Sequence, residues 1–71
     1  MLKGSEALLR LPRVRVKTGL SRTAIYNEMK QGRFPKSIRL HGTAVAWVES
    51  EVDEWIEERI RAARGVEAAL P

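Results

Sequence analysis

The chain has 71 residues, 44% hydrophobic and 31% charged, with a formal net charge of +4 and no cysteine. That is one small domain, burying only about 60% of its unfolded surface, with the composition of a folded globule rather than a disordered chain. It excludes a disulfide framework and a thiolate metal site, the lone His41 builds no metal site, and no apolar run approaches the roughly 18 residues of a membrane span.

The N-terminal MLKGSEALLR lacks the apolar core of a signal peptide, so a soluble, cytoplasmic protein without membrane contact is expected. Residues 1–48 hold ten Lys or Arg against two acids, a surplus of +8, whereas residues 49–71 hold three Arg against seven acids, a deficit of −4. A basic body with an acidic final segment fits a polyanionic partner for the body alone.

In chain order, residues 1–7 read as a flexible N-terminus and Ala7 to Leu11 as a short strand. Pro12 suits the first turn of a helix, and PRVRVKT ends at Gly19, a left-handed stop. Ser21 is the expected N-cap of the next helix, with Leu20 packing back on Ala24 or Ile25. From there to Gln31, Ile25 and Met29 at i and i+4 form the buried face. Arg22, Thr23, Tyr26, Asn27 and Lys30 share the opposite face, and Gly32 ends the helix. After the connector Arg33-Phe34-Pro35, two alternating runs, KSIRL and AVAWV, flank the turn His41-Gly42-Thr43 and read as a β-hairpin. In it Ile38, Leu40, Val45 and Trp47 are expected to point inward and Arg39 outward.

The last helix is expected to open on a capping box, Ser50 with Asp53. Its apolar stripe is Val52, Trp55, Ile56, Ile60 and Ala63, with acids at its start and Arg59, Arg61 and Arg64 at its end, matching the helix dipole. Gly65 is expected to stop it, leaving 65–71 as a flexible tail and 8–64 as the domain. The expected core is Leu9, Leu11, Val14, Leu20, Ile25, Met29, Phe34, Ile38, Val45, Trp47, Val52, Trp55, Ile56 and Ile60.

Catalysis finds no support. There is no Cys nucleophile, no carboxylate close in sequence to His41, no serine nucleophile signature and no Gly-rich phosphate loop; no enzyme and no cofactor are expected. DNA binding is better supported. The order is helix, tight turn at Gly19-Leu20, helix, hairpin, helix, with Leu20 and Ile25 wedging the first two helices at a steep angle. The second helix then protrudes and fits a major groove about 12 Å wide. Arg reads guanine edges, Asn reads adenine, and a Thr methyl meets a thymine methyl. The hairpin that follows is a wing, with Lys36, Arg39, His41 and Thr43 placed for backbone or minor groove.

The stretches TGLSRTAIY (18–26), GRFPKSIRL (32–40), AVAW (44–47) and ESEVDEWI (49–56), in this order, resemble the AlpA-type prophage regulators. The resemblance runs from about Leu8 to Arg64. It implies a MerR/excisionase-like winged helix-turn-helix: mostly α, three helices plus a two- to three-stranded sheet. It implies a sequence-specific, nucleoid-associated transcriptional regulator of a prophage or mobile element that binds double-stranded DNA. Ser21, Arg22, Thr23 and Tyr26 fall in the family's recognition helix, about residues 21–31, and His41, Gly42 and Thr43 in its wing turn. Thr43 stands where a basic residue is frequent, Asn27 likewise, and Arg15 where many helix-turn-helix proteins bury an Ala.

The expected DNA-contacting set is Arg13, Arg15, Lys17, Ser21, Arg22, Thr23, Tyr26, Asn27, Lys30, Arg33, Lys36, Arg39, His41 and Thr43. Within it Arg22, Thr23 and Asn27 read bases, Tyr26 and Lys30 meet the backbone or groove edge, and Arg13, Arg15, Lys17, Lys36 and Arg39 neutralise phosphates. Two other roles compete: an excisionase-like architectural protein that bends DNA, and a protein-interaction module using the acidic helix 50–64. Self-association or cooperative binding on DNA, and contact with an integrase or RNA polymerase, are the further partners considered.

Overall fold

In the computed structural model, which describes residues 6–68, the chain starts by pairing with a strand far along the sequence. β1 (Leu8–Leu9) lies antiparallel to β3 (Ala44–Val48), with Leu8 opposite Val48 and Leu9 opposite Trp47. The other edge of β3 carries β2 (Ile38–His41), so the sheet order is β1-β3-β2. The helices are α1 (Leu11–Thr18), α2 (Arg22–Lys30) and α3 (Glu49–Ala68). This is the expected architecture: three helices and a three-stranded antiparallel sheet, a small winged helix-turn-helix. Of the expected loose ends, residues 1–5 and 69–71 lie outside the described residues.

The joint between α1 and α2 is built as its sequence suggests. Gly19 takes φ 75°, and its N–H donates to the Arg15 carbonyl, closing α1. A left-handed residue here is nearly free of cost only for glycine. Thr18 ties the bend down: its hydroxyl donates to the Val14 carbonyl (2.8 Å) and accepts the Leu20 N–H (3.2 Å). Ser21 then caps α2, its Oγ accepting the Ala24 N–H at 3.1 Å. At the far end Gly32 has φ 73°, the Gly32 N–H donates to the Met29 carbonyl and the Arg33 N–H to the Glu28 carbonyl. That pair of bonds is a Schellman close, which turns the chain sharply toward the wing.

The core centres on Trp47, Ile25, Val14 and Val52, all fully buried, with Leu9 and Phe34 beside them. Leu11, Leu20, Tyr26, Met29, Val45, Trp55 and Ile56 pack partly buried around it. Two expected core residues are not in it: Ile38 is 41% exposed and Ile60 45%. Two unexpected ones are: Ala46 and Val48 are buried alongside Trp47. β3 is the central strand, so an unbroken apolar run rather than an alternation marks it.

The hairpin faces also differ from expectation. Ile38 is opposite Ala46, Arg39 opposite Val45 and His41 opposite Ala44, with a register shift at Leu40. Residues directly opposite share a face, so Arg39 lies on the side of Val45 and Trp47 and Ile38 on the other. That reverses the reading from alternation, because a one-residue change of register inverts every side chain. The bulge at Leu40 re-aims the strand's end, and all four residues of β2 are exposed.

α3 corrects two more expectations. It begins at Glu49 directly from β3, so Ser50 is inside the helix and forms no capping box with Asp53. The cap comes from the N-terminal segment: Glu6 Oε1 accepts the Ser50 N–H (3.3 Å), Glu6 Oε2 accepts the Ser50 hydroxyl (2.8 Å), and the Ala7 carbonyl accepts the Glu49 N–H (2.8 Å). At the other end the helix does not stop at Gly65 but runs to Ala68. Glycine inside a helix costs about 1 kcal/mol relative to alanine without ending it.

Candidate nucleic-acid interface

α2 presents two opposed faces. Ile25 is fully buried against the core, while Ser21, Arg22, Thr23, Asn27 and Lys30 are exposed. The inward face is fixed by packing, so the outward face is fixed too, and its first two turns carry a cation, a hydroxyl and an amide. Tyr26 sits between the faces, half-buried. Its ring meets Trp47 edge to face (centroids 6.1 Å apart, 72°), and the Arg22 guanidinium lies over it at 5.2 Å. Arg22, one turn before Tyr26, is thereby held on a ring that is itself held by a buried indole. Trp47 is more than core filler: it is the footing of this stack. Only the i, i+4 spacing of Arg22 and Tyr26 is readable in the sequence.

The other expected contact residues divide by what they touch. Arg13, Arg15, Lys36, Arg39, His41 and Thr43 are exposed. Arg15 lines a cleft with Gly19, Leu20 and Ser21, which brings it to the start of α2. It therefore occupies the edge of α1, at the position where many helix-turn-helix proteins bury a small Ala. Lys30 and Lys36 line a second cleft together with Tyr26, Met29 and Ser37, joining the end of α2 to the base of the hairpin.

Lys17 and Arg33 are engaged within the chain. The Lys17 ammonium lies 2.9 Å from Glu49 and 2.6 Å from Asp53. Its hydrogen bonds to Asp53 and Glu49 hold its pKa above the usual lysine value. Asp53 therefore tethers α1 to α3. Arg33 grips Glu28 with two bonds, Nε to Oε1 (3.1 Å) and Nη2 to Oε2 (3.0 Å), and donates a third to Gln31 Oε1 (2.9 Å). This fork raises the pKa of Arg33 and lowers that of Glu28. The Arg33 carbonyl also accepts the Trp55 indole N–H at 2.7 Å. Sequence reading counted both cations as free because their partners lie on other turns or elements.

The acids of α3 reach one part of this surface: Glu51, Glu54 and Glu58 line a cleft with Lys36, Ser37 and Ile38 at the base of the hairpin. Among the described residues no cluster of His, Cys, Asp or Glu is placed to hold a metal ion, and no helix is long and apolar enough to cross a membrane.

Comparison with known proteins agrees with this architecture. The family described as Prophage CP4-57 regulatory protein (AlpA) matches residues 7–60. The chain is 46% identical over 55 residues to an uncharacterised protein, ORF88, of Enterobacteria phage P4, covering 78% of this chain and 62% of that protein. It is 38% identical over 60 residues to the DNA-binding transcriptional activator AlpA of Escherichia coli strain K12, covering 76% of this chain and 86% of that protein. With a match across most of its length and the fold to go with it, the chain belongs to the AlpA family of prophage regulatory proteins.

Proposed function

We propose that this protein is a regulator of a prophage or mobile element that binds double-stranded DNA, with α2 in the major groove and the β2–β3 wing on the backbone or minor groove. The observation that carries the reading is the exposed side of the first two turns of α2, Arg22, Thr23 and Asn27, on a helix whose Ile25 is fully buried. The name of the E. coli relative, a DNA-binding transcriptional activator, supports it. Arg22, Thr23 and Asn27 read base edges. Arg13, Arg15, Lys30, Lys36 and Arg39 neutralise phosphates, with His41 and Thr43 at the wing turn. Ser21 serves chiefly as the cap of α2, and Lys17 and Arg33 act through the scaffold.

The test is fluorescence anisotropy with a labelled duplex over a range of salt. Five phosphate contacts predict a slope of log affinity against log salt near −4.5, that is about −0.9 per contact. A slope near zero removes the reading. Arg22→Ala should narrow the gap between specific and random duplexes; Lys36→Ala should weaken both about equally.

A second role on the same fold, DNA bending, is favoured by one feature: Ile38 and Leu40, each 41% exposed, stand on the wing. Apolar side chains entering the minor groove kink a duplex. Gel mobility of circularly permuted fragments decides: position-independent mobility leaves a regulator that does not bend its site.

A further inference from the structure

The outer part of α3 adds no residue to the buried core, though the Arg59 guanidinium lies over the Trp55 ring at 5.2 Å. Residues 57–65 are all exposed. Yet the helix persists to Ala68, and an apolar line continues along it from buried Val52 through half-buried Ile56 to Ile60 and Ala63. Ile60 is 45% exposed in the middle of this projection.

The charges around Ile60 are arranged with opposite sign on its two sides. Asp53, Glu54, Glu57 and Glu58 precede it; Arg59, Arg61 and Arg64 surround or follow it. Glu57 and Arg64 are seven residues apart and so flank the line Ile56, Ile60, Ala63 on the same side. A second copy laid antiparallel across Ile60 meets this pattern as its complement. The position three residues before the crossing faces the position three to four residues after it, which sets Glu57 against Arg64 twice. A parallel arrangement sets the acids level with acids.

We propose that the outer half of α3 is the seam of an antiparallel homodimer, with Ile60 at the two-fold axis and Glu57 of each copy facing Arg64 of the other. Two helical turns cover less than the roughly 800 Å² per partner of a standard stable interface. The pairing is therefore weak between free chains and strong where neighbouring sites on one duplex raise the effective concentration. This last step rests on the DNA binding proposed above; the seam itself does not.

The chain has no cysteine, so Ile60→Cys introduces a single thiol at the axis. Under mild oxidation it should form a disulfide dimer roughly tenfold faster than Val16→Cys, whose site on α1 is 80% exposed. Equal rates overturn the proposal. In the Ile60→Cys background, Glu57→Arg should slow the cross-link, and adding Arg64→Glu should restore it. Arg61, one turn beyond Glu57, is left facing an arginine in both variants, so recovery reports the contact between copies; a lack of recovery rejects the antiparallel register. Circular dichroism confirms that each variant keeps its helix. On a duplex with two adjacent sites, Ile60→Glu should abolish cooperativity and leave single-site affinity unchanged. If no variant binds DNA at all, the functional reading fails while the cross-linking result still decides the seam.

Discussion

Tyr26 joins the packing of the core to the face proposed to meet DNA. Its ring is the surface on which Arg22 rests, and Trp47 is the wall behind it. A guanidinium pre-placed on a ring loses less freedom when it meets a base than one that waves in solvent. Tyr26→Phe keeps the ring and should retain discrimination between operator and random duplex; Tyr26→Leu should reduce it while sparing non-specific binding. Anisotropy against both duplexes measures the ratio, and equal loss in the two variants would assign the role to the hydroxyl instead. Trp47 carries a second prediction. Its indole N–H is buried without a hydrogen-bond partner among the described residues, and an orphaned buried donor costs about 1–3 kcal/mol. Trp47→Phe removes that donor along with some packing, so urea denaturation should show a smaller loss than the about 3–5 kcal/mol of a large aromatic cut back to alanine.

At the scale of elements, what could be read from sequence depended on whether the signal was local. The α1–α2 joint was legible because Gly19, Ser21 and Ile25 act within one turn of themselves: a left-handed stop, a cap and an inward apolar residue. The outward face of α2 followed from the same periodicity. The hairpin was found, but its faces were inverted, because register depends on the bulge at Leu40, which composition does not mark. The cap of α3 was misplaced for a similar reason. Ser50 and Asp53 have capping-box spacing, yet Glu6, 44 residues away in sequence, supplies the cap. Lys17 was counted as a free cation because Glu49 and Asp53 reach it only once α3 packs beside α1. The local signals make a sharp prediction: Ser21→Ala should cost about 1 kcal/mol of stability by chemical denaturation, with α2 fraying first in hydrogen exchange. A uniform loss across all helices would mean that the cap is not a local term.

At the scale of the molecule, two ion-pair clamps brace the scaffold, one between α1 and α3 and one between α2 and the connector after it, and they respond to pH at opposite ends. Glu28 has a lowered pKa because Arg33 donates to its carboxylate. Its contribution is present above the ordinary glutamate pKa and is lost as pH falls through the lower value of the folded state. Lys17 has a raised pKa because Asp53 and Glu49 accept from it. Its contribution is present below the ordinary lysine pKa and is lost as pH rises through the higher folded value. Stability against pH should therefore lose part of its acid limb in Glu28→Gln and part of its alkaline limb in Lys17→Gln, with thermal melts across the range as the measure. The same clamps separate scaffold cations from those proposed to face DNA. Arg15→Gln should reduce the salt slope of DNA binding by about 1, the loss of one phosphate contact. Lys17→Gln, which removes an equal charge from the same helix, should leave that slope nearly intact and lower the melting temperature instead. If the two substitutions changed the slope alike, the Lys17 ammonium would have left Asp53 and Glu49 for phosphate. The division between a tethered inner row and a free outer row of cations would then not survive contact with DNA.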